Sequence, residues 1–277
     1  MTYPNSISFL KDSVPLVREL KGSEYWKYKL VFRHERALRR VESLLRIESS
    51  FIKGGKRVRL TEALTMDFIS RNTTIPIPKL LDIFSIKGDV YIVQQYINAP
   101  VLEDVWRRLS IVEKRSSVLQ LKNCLDQLRA LKPPDSDRVQ AIDGSGFIDE
   151  RLGTGELGPF DDHDAFHRFL GYHALRDCPD RFPLAKEAIS KVANRKYRTV
   201  FSHGDLGPHN ILWKDGQIVL IDWERSGWFP EYWDYTRAYA ARGYTIPEWW
   251  EMFKDVVDRY DDELDVDIQM LNYVERL

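Results

Sequence analysis

The chain has 277 residues, 43% of them hydrophobic and 30% charged, with only 15 Gly and 13 Pro, a balance that excludes disordered, collagen-like and low-complexity classes. A chain of this length buries roughly three quarters of its unfolded surface, so one large domain or two packed lobes can hold together without disulfides. Its 41 basic and 42 acidic residues give a net charge of -1, too weak a cationic field for nucleic acid to be the expected partner. Two cysteines, Cys124 and Cys178, are too few for a disulfide framework and point to a reducing, cytoplasmic setting. The opening MTYPNSISFLKDSVPLVREL lacks a charged flank followed by a long apolar run. No stretch approaches the roughly 18 apolar residues of a membrane span, so neither a secretory signal nor a membrane partner is expected.

The first forty residues mix charge and aromatics without clear period, and KYKLVFRHERALRRVESLL reads as a basic helix with a solvated face. LLRIESSFIK reads as two short strands around Glu48 to Ser50, ending at Lys53 and Gly54-Gly55. In RLTEALTMDFISR, Leu60, Ala63, Leu64 and Phe68 recur at helical spacing. Asn72 to Pro78 breaks that pattern, and KLLDIFSI and DVYIVQQYI form a hairpin through Lys87-Gly88-Asp89. This block is α+β in texture. After Ala99-Pro100 the chain turns helical: LEDVWRRLS is short, and Val118, Leu121, Leu125, Leu128 and Leu131 step by three or four along the next helix until Pro133-Pro134. Residues 135–165 read as Gly- and Asp-rich loop, HDAFHRFLGYHAL and PLAKEAISKVA as helices. Short strands follow in TVF, NILW and QIVLIDW, and two more helices, EYWDYTRAYAAR and PEWWEMFKDVVDRY, close the chain. No internal repeat is visible, and Gln95 to Pro100 divides a sheet-rich from a helix-rich half.

The sharpest chemical signal is His203-Gly-Asp205-Leu-Gly-Pro-His-Asn210, then ILW, a turn, and IVLI-Asp222. Asp205 and Asn210 share one Gly/Pro loop, and a hairpin returns the chain to Asp222, so three oxygen-bearing side chains can converge. Hard oxygen ligands suit Mg²⁺, which binds through one or two carboxylates plus substrate phosphates. A carboxylate left free can accept the proton of an attacking hydroxyl. The plainer alternative is that Asp205 and Asn210 cap a turn. The spacing matches the phosphoryl-transfer pattern H-x-D-x-x-x-x-N followed by a metal-binding Asp. That pattern also needs a strand lysine and a helix glutamate; Lys53 ends a strand and Glu62 lies in the first turns of the next helix.

On these residues the chain resembles the aminoglycoside phosphotransferase and choline kinase-like family, which has the protein-kinase-like fold. The resemblance is carried by Lys53 in SFIKGG, Glu62 in LTEAL, IPIPKLLDIF, YIVQQYINAPVLEDVW, the GPF at Gly158, SHGDLGPHN and LIDWE, spanning roughly residues 44 to 240. Gly204, where protein kinases have the Arg of His-Arg-Asp, favours small-molecule phosphotransferases. The resemblance implies a two-lobed fold: a small N-terminal antiparallel sheet lobe with one helix over 1–97, and a larger, mostly helical lobe over 98–277. It implies an ATP- and Mg²⁺-dependent kinase acting on a hydroxyl of a small molecule. Asp205 would be the catalytic base, Asn210 and Asp222 the metal ligands, Lys53 the phosphate contact and Glu62 its partner. Gln95, Tyr96 and Ile97 would face the adenine edge. His203 would be structural, and Asp234 would brace the catalytic loop.

Two departures stand out. Ser23 to Phe51 contains no glycine, so a Gly-rich cover over the phosphates is missing or replaced; this keeps open a catalytically weak or inactive nucleotide-binding, regulatory relative. The metal motif is Asp222-Trp-Glu224, where Glu224 could be a second metal or substrate contact, or a surface glutamate. Acids at 143, 149, 150, 156, 161, 162 and 164, and the aromatics Trp223, Trp228, Phe229, Tyr232, Trp233 and Tyr235, could form a cationic-substrate pocket; alternatively the acids are solvated loop and the rings pack between helices. His163 and His167, at i and i+4, read as exposed helix histidines rather than a metal pair. Cys124 reads as core, Cys178 as inert, and Trp249-Trp250 as the anchor of the last helix. A metal-dependent phosphoesterase would need further His/Asp blocks, and a protein kinase an Ala-Pro-Glu landmark; neither is present. The acceptor and the oligomeric state stay open.

Overall fold

A computed structural model of the protein describes residues 18–23, 50–56, 58–173, 183–240 and 246–274. The expected basic helix, the strand before Ser50, almost all of the glycine-free stretch and Cys178 lie outside the described residues. The described residues form a sheet-rich half and a helix-rich half. A four-stranded sheet is ordered β1 (Arg18–Glu19), β3 (Leu80–Ile86), β4 (Asp89–Gln95), β2 (Ser50–Gly55). β4 pairs antiparallel with both neighbours, while the two-residue β1 adds a parallel edge to β3. The expected hairpin turns at Lys87 and Gly88, with φ of 53° and 85°. A two-residue turn with both φ positive matches the right-handed twist of its strands.

Helix α1 (Leu60–Asn72) follows β2. Seven of its thirteen residues are buried, from Thr61 through Met66 plus Ile69, because it lies between the sheet and the helical half. One core joins its Ala63, Leu64, Met66 and Ile69 to Ile83 and Ile92 of the sheet and to Leu102, Trp106 and Phe201 beyond it. The Phe68 ring packs 5.6 Å from Phe201 and 6.2 Å from Trp228, and the buried Ser226 hydroxyl meets Thr65 Oγ1 at 2.9 Å. The helix that carries Glu62 is therefore packed on both halves.

In the helical half, α2 (Leu102–Val105) leads through a single 3₁₀ turn to α3 (Ile111–Ala130). The Ser110 hydroxyl caps α3 by accepting from Glu113 N, and the Glu113 carboxylate accepts from Ser110 N at 2.8 Å, a reciprocal cap that satisfies two N-terminal donors. Of its expected stripe, Val118, Leu121, Leu125 and Leu128 are buried along with Cys124, while Leu131 is half-buried at the C-cap; burial pushes the Cys124 thiol up to about 12. Helices α4 (His163–Phe169) and α5 (Pro183–Val192) precede β5 (Thr199–Ser202) and the hairpin β6 (Ile211–Lys214)–β7 (Gln217–Leu220).

Several elements differ from the expectation. A further strand, β8 (Gly227–Pro230), pairs antiparallel with β5. Three helices close the chain instead of two: α6 (Trp233–Ala238), α7 (Pro247–Lys254) and α8 (Asp261–Val274). Trp249 and Trp250 are buried as expected, yet they anchor α7 rather than the last helix. His163 and His167 are not exposed. His163 Nε2 lies 2.9 Å from Thr199 Oγ1, while His167 stacks on Tyr172 at 4.8 Å and meets Tyr232 Oη at 2.8 Å; burial holds both imidazoles below their ordinary range. No helix among the described residues is long and apolar enough to cross a membrane.

Candidate active site

Register fixes the first group. Lys53 pairs with Ile92 across β2 and β4, and its ammonium reaches three carboxylates at once: Glu62 Oε2 at 3.0 Å, Asp222 Oδ1 at 2.7 Å and Glu224 Oε2 at 2.8 Å. Burial works against the Lys53 charge, but Glu62, Asp222 and Glu224 outweigh it and hold the ammonium protonated well above its ordinary range. Burial pushes the Glu62 carboxyl up, and Lys53 pulls it back only in part. Glu224, half-buried, thus belongs to the same charged cluster. Asp222 holds φ of 64°, a left-handed conformation that a residue other than Gly keeps only under constraint from its surroundings.

These side chains open onto a cavity of about 340 Å³, within the size range of small-ligand sites. Lys53, Glu62 and Asp222 line its polar end, with Phe51, Pro78 and Leu212 among the apolar walls. Gln95, Tyr96 and Ile97 also line it. Two of their backbone groups are committed inside the chain: Gln95 N donates to Lys79 O at 2.8 Å, and Ile97 O accepts from Ala99 N at 3.0 Å.

The loop between β5 and β6 supplies the second group. His203 is fully buried, its ring against Trp223 at 4.5 Å. Nε2 lies 3.0 Å from Ile221 O and Nδ1 lies 3.4 Å from Asp205 N. These partners assign a neutral ring with its proton on Nε2, and burial holds the pKa below the ordinary value. His203 therefore ties the Asp205 loop to the strand leading into Asp222. Asp234, also buried, accepts from His203 N at 3.2 Å and Gly204 N at 3.0 Å; it braces the loop from below, its carboxyl raised by burial. Gly204 sits at φ +78°, and a Cβ there would lie 2.2 Å from Arg225 O. That contact explains glycine between His203 and Asp205.

Asp205 is charged on every side. Asn210 Nδ2 donates to its backbone O at 2.9 Å and its Oδ2 at 3.2 Å. His209 Nε2 lies 3.6 Å from Oδ2, Arg225 Nη1 3.2 Å and Arg151 Nη1 3.7 Å from Oδ1. Burial alone would raise this carboxyl, yet His209, Arg225 and Arg151 outweigh it and hold it well below the usual range. Neither arginine is distinguished by local sequence pattern, since both reach Asp205 through the fold.

The carboxylates of Glu62, Asp222 and Glu224 present oxygens within 4.8 Å of one another. Three hard oxygen donors fit a divalent cation of the Mg²⁺ type. Asn210, the other expected ligand, has its amide nitrogen on Asp205. The six aromatic residues from Trp223 to Tyr235 are all buried, so their rings pack between elements. Most of the acids at 143–164 are engaged within the chain: Asp143 accepts from Ser145, Glu156 from Gly146 N and Arg59, and Asp162 caps α4.

A cleft between an antiparallel sheet and a helical half, a lysine–glutamate pair, and an Asp–Asn loop followed by a hairpin to a second Asp define a kinase-type phosphotransferase fold. The chain belongs to the phosphotransferase enzyme family, whose model matches residues 33–267. Among solved structures it is similar to a thermostable mutant of aminoglycoside phosphotransferase APH(4)-Ia in its apo form, with 14% identity, 80% of this chain and 76% of that one covered, and a TM-score of 0.52. It is also similar to APH(2")-IIa in its gentamicin complex, with 13% identity, 88% and 87% covered, and a TM-score of 0.51. No curated protein matches. At these identities the likeness concerns the fold.

Proposed function

We propose that the protein transfers the terminal phosphoryl group of ATP to a hydroxyl of a small molecule, with Mg²⁺ as cofactor. One observation carries the reading: Lys53, Glu62 and Asp222 meet at the polar end of an apolar cavity, with Glu224 reaching the same ammonium, and the Asp205 loop is tied through His203 to Ile221 beside Asp222. The small lobe, taken as residues 1–97, would hold the nucleotide, and residues 98–277 would supply the catalytic loop and acceptor side. Lys53 would leave part of its carboxylate shell to contact phosphate oxygens, while Glu62 keeps it aimed. Asn210 and Asp222 would hold the divalent cation, with Glu224 as a further carboxylate. When bound, that cation neutralises charge on the transferring group. Asp205 would orient the acceptor hydroxyl and take its proton. Its low pKa suits a residue whose main work is orientation, since the proton leaves late in a loose phosphoryl-transfer step.

The test is release of ADP from Mg·ATP in the presence of a panel of hydroxyl compounds: aminoglycosides, choline-like amines, sugars and amino alcohols. At least one acceptor is expected to stimulate release. Asp205→Ala is expected to lower the stimulated rate by about 10²–10⁴-fold while Mg·ATP still raises its melting temperature. Undiminished turnover by that variant removes Asp205 from its role.

A further inference from the structure

The loop from Ala141 to Phe160 is rich in acids, yet its one buried acid does not face the cleft. Asp149 is 2% exposed. It accepts from the backbone N of Arg151 at 3.0 Å, and from Arg151 Nε and Nη2 at 2.7 Å each. A bidentate fork of this kind fixes the guanidinium plane as well as its charge. Arg237, also buried, closes on Asp149 from the far side at 4.0 Å and pairs with Asp267 of α8. The fork then has one direction left. Arg151 Nη2 also donates to Gly204 O at 3.0 Å, the carbonyl immediately before Asp205. Arg151 Nη1 lies 3.7 Å from Asp205 Oδ1 and makes no hydrogen bond. An alternating row of charges, Asp267, Arg237, Asp149, Arg151, thus leads to Asp205.

We infer that Arg151, locked by Asp149, is a positioning residue that fixes both the backbone and the carboxylate of Asp205 for transfer. The inference rests on the reading of Asp205 as the catalytic base. Arg225 is nearer to Asp205, but only Arg151 grips the loop by its backbone and is itself held by a buried acid. The same loop also reaches α1: Arg59, just before the helix, donates to Gly146 O at 2.9 Å. Loop 141–160 therefore spans from the Glu62 helix to the base.

The test measures basal ADP release from Mg·ATP, with water as acceptor, beside Mg·ATP affinity by calorimetry. Arg151→Met is expected to lower the rate by about 10–100-fold, the scale of a small misplacement of a reacting group, with Kd changed by less than about twofold. Arg151→Lys keeps the charge but cannot hold Asp149 and Gly204 O together, so it stays at least about fivefold below the parent; this variant carries the comparison if the Met variant does not fold. In an Asp205→Asn background, Arg151→Met should add less than about twofold, because residues that act through one another are non-additive. A full multiplicative loss in that background, or a lysine variant as active as the parent, overturns the inference. If Asp205→Asn is inactive and Arg151→Met is not, only the inference falls. If Asp205→Asn keeps the parental rate, the base assignment falls and takes the inference with it.

Discussion

The two charged clusters of the cleft are built in opposite ways. Around Lys53, one ammonium faces three carboxylates, which leaves a surplus of negative charge at the polar end of a cavity. Around Asp205, acids and guanidiniums alternate from Asp267 through Arg237, Asp149, Arg151 and Asp205 to Arg225, and their charges cancel. A cluster with unbalanced charge is completed by a ligand. A balanced one holds its shape without one. The first therefore fits binding of a cation and its anionic partner, and the second fits the fixed orientation of a single group.

The comparison breaks most readily at Gly204, where the largest effect is expected. Gly204→Ala must clear Arg225 O, 2.2 Å from the new Cβ, by moving the Asp205 loop. ADP release should fall by about 10²-fold or more, the cost of a 1 Å misplacement, while Mg·ATP affinity, which the proposal assigns to the other cluster, should hold. Weakened nucleotide binding in this variant would mean that the clusters are not separable. On the other side, Lys53→Met removes the cation that, among the described residues, bridges the three acids. Loss of a charge-assisted contact of about 1.5–3 kcal/mol should weaken Mg·ATP by about 10–100-fold in calorimetry; an unchanged Kd would take Lys53 out of the phosphate site.

A third, smaller effect concerns pH. Asp205 titrates well below the usual carboxylate range because His209, Arg225 and Arg151 outweigh its burial. The rate profile should therefore show no acid limb from Asp205 down to about pH 4. Arg225→Met removes a positive charge, which raises the pKa of a neighbouring acid, so the Asp205 carboxyl of that variant should protonate at higher pH than the parent's when its titration is followed by NMR. A downward or absent shift in that titration contradicts the pairing. The smallest effect is structural: Ser226→Ala cuts the hydroxyl tie to Thr65 of α1, costing about 1 kcal/mol and roughly 2–4 °C in Tm. A loss of activity beyond this stability change would give Ser226 a role in holding the Glu62 helix during turnover.

What the sequence made legible follows from how each residue reaches its place. Lys53 and Glu62 sit on consecutive elements, and Asp205 and Asn210 on one loop, so their order along the chain carries the meetings of Lys53 with Glu62 and of Asn210 with Asp205. Arg151 and Arg225 reach Asp205 from elsewhere by packing that no local spacing encodes, and Glu224, which reads equally as a surface acid, reveals itself only through Lys53. The same distinction runs through the fold. The amphipathic stripe of α3 and both two-residue hairpin turns were readable. β8 was not, because Gly227 and Pro230 bound a four-residue buried run that looks like a breaker. α8 opens with Asp261, Asp262 and Glu263, and its acids hide Leu264 and Val266, which are buried. The histidines of α4 misled because their partners, Thr199 and Tyr232, lie 36 and 65 residues away.

The division of labour between the two clusters is tested most directly by Mg·ATP calorimetry on Asp222→Ala and Asp205→Ala measured side by side. Asp222→Ala is expected to lose Mg²⁺-dependent affinity by at least tenfold, while Asp205→Ala binds as the parent does and releases no stimulated ADP. Equal affinity in both variants would contradict the assignment of nucleotide and metal to the Lys53 cluster.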